Sequence, residues 1–344
     1  MDRRNFLASG LAGVAGAQSR IRVGVLRTSH SHAPAKVQIL RTSPDWDLVA
    51  VAEPDPQLRA KREREELYAG VRFVSEQELL GDSSIQAIAV ECDPGEGIEY
   101  GPKVIRAGKH MHLEKPPSTE MKRFRAMVEE ARGKKLLLQA GYIWRFHAGF
   151  DKAFEFARQG WLGEVQLFRA TINTDVPDDQ RRQLAQWKGG MMLELGSHPI
   201  DRLVAFWGRP KQVHNFLRHD TKSGDKLADN TLAVFEYERG MALISSTARM
   251  AHGQQHRSFE LIGTDGSVII QPIEPGAKVR LSLRTDHEQY KAGWQEIALP
   301  PHERYVGDLR ALAHSIRTGE PLKYSYDHEL LVQETLLKAC GMWA

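Results

Sequence analysis

The sequence predicts an α/β fold in which a doubly wound parallel sheet is followed by an α+β domain with a mostly antiparallel, open sheet. In residues 21–143, short apolar runs alternate with amphipathic segments, which is the pattern of βαβ units. In residues 144–344, apolar runs come in pairs separated by tight turns, as in antiparallel hairpins. A chain of 344 residues also exceeds what one hydrophobic core usually serves, so we expect two domains with these boundaries.

The first domain is predicted from five buried strands and the helices between them. The strands are Ile21–Leu26, Leu48–Ala52, Ala87–Glu91, Met111–Glu114 and Leu136–Ala140. The helices include Gln57–Leu67, Ile98–Ala107 and Met121–Arg132. Because helices separate consecutive strands, we expect the strands to run parallel, with right-handed crossovers.

The second domain is predicted to combine one antiparallel sheet with helices at its edges. An Asp-Gly pair in Thr264–Gly266 is a strong turn signal between two of its strands. We expect the segment Thr174–Trp187 to form a loop over the functional site. The predicted strands are Val165–Ile172, Leu232–Tyr237, Met241–Ser245, Phe259–Ile262, Ser267–Ile270, Lys278–Leu283 and Glu296–Leu299, and the helices are Phe150–Gln159, Glu303–Arg317 and Asp327–Cys340.

The composition excludes several classes of protein. Hydrophobic residues make up 41% and charged residues 26%, which is typical of a globular chain. Lysine and arginine number 47 against 44 acidic residues and are scattered, so we expect no nucleic-acid partner. No apolar run reaches the roughly 18 residues of a membrane-spanning helix. Cys92 and Cys340 are too few for a disulfide framework.

The first 17 residues have the pattern of an export signal. Arg3 and Arg4 precede Phe6, and a short run of small and apolar residues ends in an A-x-A sequence at residues 15–17. Paired arginines before an apolar run are similar to a twin-arginine signal. We therefore expect export to the periplasm, or a cytoplasmic protein if the signal is not used. The alternative is a frayed amphipathic helix.

The loop after the first strand is placed like the phosphate-binding loop of a Rossmann dinucleotide-binding domain. That loop carries G-x-G-x-x-G, but the three glycine positions are occupied here by Arg27, Ser29 and His32. We expect Arg27 and the hydroxyls of Thr28 and Ser29 to bind the pyrophosphate instead. Glu53 ends the second strand, where an acid binds the adenosine ribose, so NAD is favoured over NADP. The alternative is a nucleotide site that has decayed.

Four motifs together resemble the glucose–fructose oxidoreductase/inositol dehydrogenase family, also called Gfo/Idh/MocA. They occur in the family's order and span the chain that follows residue 17. The motifs are AGKHMHLEKP at 107–116, GYIWRF at 141–146, GWLGEV at 160–165 and GGMMLELGSH at 189–198. Two segments depart from the family pattern, the glycine-free loop and residues 92–97, where only Pro94 is kept. The resemblance implies a Rossmann domain and an enzyme that oxidises or reduces sugars.

The resemblance implies three catalytic residues: Lys115, Glu194 and His198. Lys115 would exchange a proton with the substrate hydroxyl while a nicotinamide exchanges hydride. Glu194 stands where the family usually has Asp. Because Glu194 and His198 are four residues apart, we expect them on one helix face, orienting hydroxyls and relaying the proton. The alternative is a buried polar network that only caps a helix.

The remaining site predictions concern the cofactor, the substrate and metals. The cofactor-binding residues are predicted to be Arg27, Thr28, Ser29, His30, Glu53, Pro94, Glu114 and Lys115, and the substrate contacts Tyr142, Arg145 and Trp187. We expect no metal site, because the pairs His30-x-His32 and His110-x-His112 have no acidic or cysteine partner at zinc spacing nearby in the sequence.

The sequence therefore predicts an NAD(P)-linked oxidoreductase that acts on a small carbohydrate and forms homo-oligomers through its C-terminal sheet. Export away from the cytoplasmic NAD pool favours a tightly held cofactor and a redox-neutral reaction. Such a reaction could be sugar–sugar oxidoreduction or oxidation-assisted glycoside cleavage. Two alternatives stay open: an ordinary NAD-dependent sugar or polyol dehydrogenase, and a non-catalytic sugar-binding protein with a decayed nucleotide site.

Overall fold

The computed structural model describes residues 19–343, and its N-terminal part is a parallel sheet of five strands. The strand order is β2-β1-β3-β4-β5, and Phe73 adds a parallel bridge beside Val51. The predicted parallel sheet is confirmed. Its strands are β1 Ile21–Leu26, β2 Trp46–Ala52, β3 Ala87–Val90, β4 His110–Leu113 and β5 Leu138–Ala140, and its helices are α1 Ala33–Thr42, α2 Pro56–Arg62, α3 Glu76–Gly81, α4 Gly97–Arg106 and α5 Met121–Gly133.

Apolar side chains cover both faces of this sheet. One face packs against α4 and α5 through residues such as Val104, Phe124 and Val128. The other packs against α1 and also against Leu309 and Leu312, which belong to a helix near the C-terminus. The C-terminal helices therefore complete the core of the first sheet, so the two parts of the chain are tied together.

The second part of the chain forms a sheet of eight strands in the order β13-β12-β11-β10-β6-β9-β8-β7. All neighbours are antiparallel except β6 and β9, so the mostly antiparallel sheet is confirmed. The strands are β6 Val165–Thr171, β7 Gln212–Arg218, β8 Asn230–Glu236, β9 Met241–Thr247, β10 Ser258–Gly263, β11 Gly266–Ile270, β12 Val279–Leu283 and β13 Gly293–Ile297, and the helices are α6 Ala148–Arg158, α7 Asp178–Leu184, α8 Gly190–Glu194, α9 Ser197–Trp207, α10 Val306–Thr318 and α11 Tyr326–Ala339.

Two elements of this part differ from the sequence prediction. Strand β7 was not predicted, because it is an edge strand whose residues are mostly exposed and carry no apolar run. The segment predicted as a loop contains the short helix α7, so that prediction is wrong for residues 178–184. Arg181 explains the helix: its guanidinium is buried and bonds to Asp225 at 2.8 Å and to Asp229 at 2.8 Å.

Two predictions about targeting have different outcomes. Within residues 19–343, no helix combines the length and the apolarity that crossing a bilayer needs. The predicted export signal of residues 1–17 lies outside the described residues.

Candidate active site

A cavity of about 820 Å³ lies where the carboxyl end of the parallel sheet meets the second part of the chain. In open α/β sheets this edge is where ligands bind. Its walls come from both halves: Ser31 and His32 from the loop after β1, Glu194 and His198 from the junction of α8 and α9, and Tyr305 from the residue before α10.

Two of the three predicted catalytic residues, Glu194 and His198, line this cavity, and the third, Lys115, bonds to Glu194. Lys115 follows β4 and is 1% exposed, and its Nζ donates to Oε1 of Glu194 at 2.8 Å and to the Glu194 carbonyl oxygen at 2.9 Å. Among described residues, Nδ1 of His198 and Oε2 of Glu194 have no hydrogen-bond partner, although both atoms are buried. Buried polar atoms without partners are rare in folded proteins. The arrangement can therefore accept hydrogen bonds from a bound hydroxyl compound.

The expectation that Glu194 and His198 share one helix face is wrong. Helix α8 ends at Glu194 and α9 begins at Ser197, so Leu195 and Gly196 separate the two side chains by a break in the helix. A Cβ on Gly196 would lie 2.5 Å from the Met192 carbonyl oxygen, so the break needs glycine here. Both side chains still line the same cavity.

Burial and neighbouring charges determine the protonation states of Glu194 and His198. Burial alone would raise the pKa of Glu194, but the Lys115 ammonium and the nearby His30 imidazole, whose Nε2 lies 3.9 Å from Oε1, hold it well below its ordinary value. Burial, aided by the charge of Lys115, holds the pKa of His198 well below its ordinary value. Near neutral pH the site thus presents an ionised carboxylate and an uncharged imidazole.

Beneath the cavity, Glu114 is the centre of a buried polar cluster. Nδ1 of His32 lies 3.2 Å from Oε1 of Glu114, and Nδ1 of His30 lies 3.7 Å from Oε2. The ammonium of Lys36 bonds to Glu114 and reaches Glu91 at 3.1 Å. Burial lowers the pKa of His32 to about 3, so its imidazole is uncharged.

The same cluster corrects the reasoning behind the predicted absence of a metal site. Ligand atoms of His30, His32 and Glu114 lie within 4.8 Å of one another, so an acidic partner is present in space although it is distant in sequence. The Lys36 ammonium, which already neutralises Glu114, supplies the positive charge there. The sequence analysis did not identify Lys36. The only indication in the sequence is that this lysine falls on the face of α1 that is buried, together with Ala33, Val37 and Leu40.

At the adenosine end of the crevice, Arg27 lies between two carboxylates. Its Nη1 donates to Glu53 at 2.6 Å, and its Nη2 donates to Glu96 at 2.9 Å. The second oxygen of Glu53 accepts from the backbone N–H of Thr28 at 2.6 Å and from its hydroxyl at 2.8 Å. Ser29 donates to Glu96 at 3.4 Å. Four of the predicted cofactor residues are therefore bonded to one another or to Glu96.

The fold implies a bound dinucleotide, and the two ends of the crevice fit such a ligand in different ways. The end near Lys115 fits it, because Glu194 and His198 line the cavity and each has a polar atom with no partner among the described residues. The end near Glu53 would fit it only after an exchange of partners, because the buried Glu53 carboxylate already accepts from Arg27, Thr28 and the backbone of Asp55. Arg27 has φ 65°, the left-handed region that the glycine of a phosphate-binding loop usually adopts.

The three predicted substrate contacts have different positions. Arg145 does not reach the cavity: its guanidinium is 1% exposed and bonds to Asp201 at 2.7 Å and Glu329 at 2.5 Å. Tyr142 stacks beneath that guanidinium, with 4.8 Å between Cζ and the ring centroid. The pair holds the junction between β5 and α9. Trp187 lines a smaller cavity of about 170 Å³ together with Pro94, Ser29 and His30, so it borders the crevice.

The fold and the site define a two-part α/β protein with a crevice at the carboxyl end of its parallel sheet and a lysine–carboxylate–imidazole group beside it. Residues 21–142 match the family model described as "Oxidoreductase family, NAD-binding Rossmann fold", and residues 150–269 match the "GFO/IDH/MocA C-terminal domain". The chain belongs to the Gfo/Idh/MocA family of oxidoreductases, and it carries the family's NAD(P)-binding Rossmann domain.

Named relatives act on sugars and related polyols. A dTDP-3,4-didehydro-2,6-dideoxy-alpha-D-glucose 3-reductase from Saccharopolyspora spinosa is 28% identical over 93% of this chain and 96% of its own. A myo-inositol 2-dehydrogenase from Thermotoga maritima is 22% identical over 88% of this chain and 90% of its own. A 3-ketoreductase from Actinomadura kijaniata, solved with TDP-benzene and NADP, shares the fold with a TM-score of 0.76 and 22% identity, covering 93% of this chain and 96% of its own.

Proposed function

We propose that this protein interconverts a secondary alcohol and a ketone on a sugar, using NAD(P). The observation that carries the proposal is the Lys115–Glu194–His198 group beside the 820 Å³ cavity. A sugar offers several hydroxyls, and the free Oε2 of Glu194 and Nδ1 of His198 are acceptors for them. The names of the relatives support the same class of substrate.

In the reaction, Lys115 moves the proton. In the direction of reduction, the carbonyl carbon gains a hydride and the carbonyl oxygen gains a proton from the Lys115 ammonium, which gives the alcohol. When bound in the crevice, NAD(P)H would be the source of that hydride and would be oxidised to NAD(P)⁺. Glu194 fixes Nζ of Lys115 at 2.8 Å, and Nδ1 of His198 would orient the sugar by accepting a hydrogen bond from one of its hydroxyls. Oxidation uses the same groups in reverse.

The nucleotide would be held by both ends of the crevice. Glu53 would bind the adenosine ribose, while Arg27 would turn to the pyrophosphate with the hydroxyls of Thr28 and Ser29. The sequence preference for NAD depended on repulsion between Glu53 and a 2′-phosphate. Arg27, which pairs with Glu53 at 2.6 Å, would keep its positive charge close to that carboxylate after turning to the pyrophosphate and would offset part of the repulsion, so we propose use of NAD with only weak discrimination against NADP.

The proposal includes two finer features, and the first depends on residues outside the described range. If residues 1–17 export the folded chain, the cofactor must travel with it and be regenerated within each cycle. This supports a redox-neutral reaction, either sugar–sugar oxidoreduction or oxidation-assisted glycoside cleavage. We also propose self-association through the eight-stranded sheet, whose strands expose Phe216, Met241 and Trp294. Cell fractionation and the native mass in solution test these two features.

A non-catalytic sugar-binding protein is the second candidate, because Arg27 already satisfies Glu53 without a nucleotide. The deciding experiment is the thermal unfolding midpoint with and without NADH or NADPH. A ligand that binds only the native state must raise that midpoint. We expect a rise with either nucleotide, and no rise with both would favour the second candidate.

A further inference from the structure

A second cavity of about 460 Å³ adjoins the active-site cavity. Gln254, Arg257 and Arg304 line both spaces, so the two lie side by side at these residues. A substrate whose reacting carbon lies at Glu194 and His198 occupies the cavity that Arg257 also lines.

Arg257 has the features of a ligand-binding group. It is only 6% exposed, and its Nε donates to the Asn173 carbonyl oxygen at 3.1 Å. Its Nη1 and Nη2 form no hydrogen bond or ion pair with any residue in the range 19–343. A buried guanidinium normally has its terminal nitrogens bonded, because an unpaired buried charge is costly. Those nitrogens are free at the point where the two cavities meet.

The charges around Arg257 leave an excess of positive charge. Glu274 is the acid that faces it, but Oε2 of Glu274 lies 3.0 Å from Nε of Arg304, and its Oε1 accepts from the indole of Trp144 at 3.2 Å. One carboxylate thus serves two guanidiniums. Burial lowers the pKa of His302, which lines the same space, so its imidazole adds no compensating or competing charge near neutral pH.

We infer that Arg257 binds an anionic substituent of the substrate, so that the sugar carries a carboxylate or a phosphate group. Both groups have oxygens spaced to accept two parallel N–H bonds from one guanidinium. This inference rests on the proposed function, because it takes the reacting end of the sugar to lie at Lys115, and it narrows the substrate class to acidic sugars.

The test compares three probes that share one ring: D-glucose, D-glucuronate and D-glucose 6-phosphate. Each is titrated calorimetrically into the full-length protein and into Arg257→Gln. We expect at least one anionic probe to bind the wild type about tenfold more tightly than D-glucose, and the one that does identifies the carboxylate or the phosphate. In Arg257→Gln that advantage should disappear, while Arg257→Lys, which keeps the charge without the planar fork, should keep part of it.

The control is Arg169→Gln. Arg169 lies in β6, which pairs with the strand that follows Arg257, and its side chain is half exposed and pairs with Glu260. This substitution should leave probe binding unchanged. Equal binding of all three probes to the wild type, or no binding of any, overturns the inference, and so does an unchanged advantage in Arg257→Gln. If Arg257→Gln does not fold, the wild-type comparison and Arg257→Lys still decide. An NADH-induced rise of the midpoint, measured on the same samples, tests the proposed function separately.

Discussion

The two ends of the crevice are built in different ways. At the catalytic end, Glu194 and His198 keep polar atoms free beside an open cavity. At the adenosine end, the carboxylates of Glu53 and Glu96 are bonded to Arg27. The catalytic end is therefore ready for a ligand, whereas the adenosine end must exchange internal partners for ligand contacts. The departures from the family pattern therefore lie around Arg27 and Glu96, whereas Lys115, Glu194 and His198 lie close together at the other end.

The largest expected effect is at the catalytic end. Lys115→Met should lower turnover by about 10²- to 10⁴-fold, because it removes the proton donor. Initial rates on any sugar that the wild type converts measure the effect, with NAD(P) binding as the check that the crevice is intact. The matched control is Lys103→Met, whose lysine is exposed and pairs with Glu76. Wild-type rates in Lys115→Met would remove Lys115 from the mechanism.

At the adenosine end, Arg27→Gly should weaken NAD(P) binding by about tenfold, or about 1.4 kcal/mol. Glycine accepts the φ of 65° at this position, so the loop itself is not strained. The loss arises because the carboxylates of Glu53 and Glu96 would then face the pyrophosphate without a counter-charge. Calorimetric titration of NADH and NADPH measures it. A gain of affinity would mean that Arg27 blocks the nucleotide.

The pH dependence of stability should report on the cluster beneath the cavity. Asp308 lies in the first turn of α10, where the charges of Lys36 and Glu114 act on it. Burial raises the pKa of Asp308 to about 6, so this carboxyl holds its proton more tightly in the folded chain than in the unfolded one. The stabilisation is present at low pH and is lost as the pH rises through 6. From pH 5 to 7.5 the wild type should lose about 1 kcal/mol of unfolding free energy relative to Asp308→Asn. Parallel denaturant curves that keep a constant difference would contradict this.

The smallest expected effect is that of Glu96→Gln, which should raise nucleotide affinity, whereas Arg27→Gly should lower it. Glu96→Gln removes one carboxylate beside the pyrophosphate position but leaves the 2.6 Å pair of Arg27 and Glu53. We expect nucleotide affinity to rise by about threefold, and less at high salt because the repulsion is screened. Titrations at two salt concentrations measure both. Weaker binding of NAD(P) to Glu96→Gln would show that this carboxylate is a nucleotide contact.

The sequence was sufficient for the parallel sheet and for the convergence of Lys115, Glu194 and His198, because apolar periodicity and motif order survive when individual residues change. It was insufficient where a role depends on partners distant in the chain. Arg145 was predicted to contact substrate, but Asp201 and Glu329 bind its guanidinium. His30 and His32 likewise lie near Glu114 because β1 pairs with β3 and β3 pairs with β4. The spacing of residues along the sequence does not reveal this strand order.

The central claim is that this crevice binds NAD(P) although its loop has no glycines. The most direct test is to incubate the purified protein with NAD⁺ or NADP⁺, remove free nucleotide by gel filtration, denature the protein and identify the released nucleotide by mass spectrometry. The claim predicts about one equivalent per chain from the wild type and much less from Arg27→Gly. Release of no nucleotide from the wild type after either incubation would contradict it.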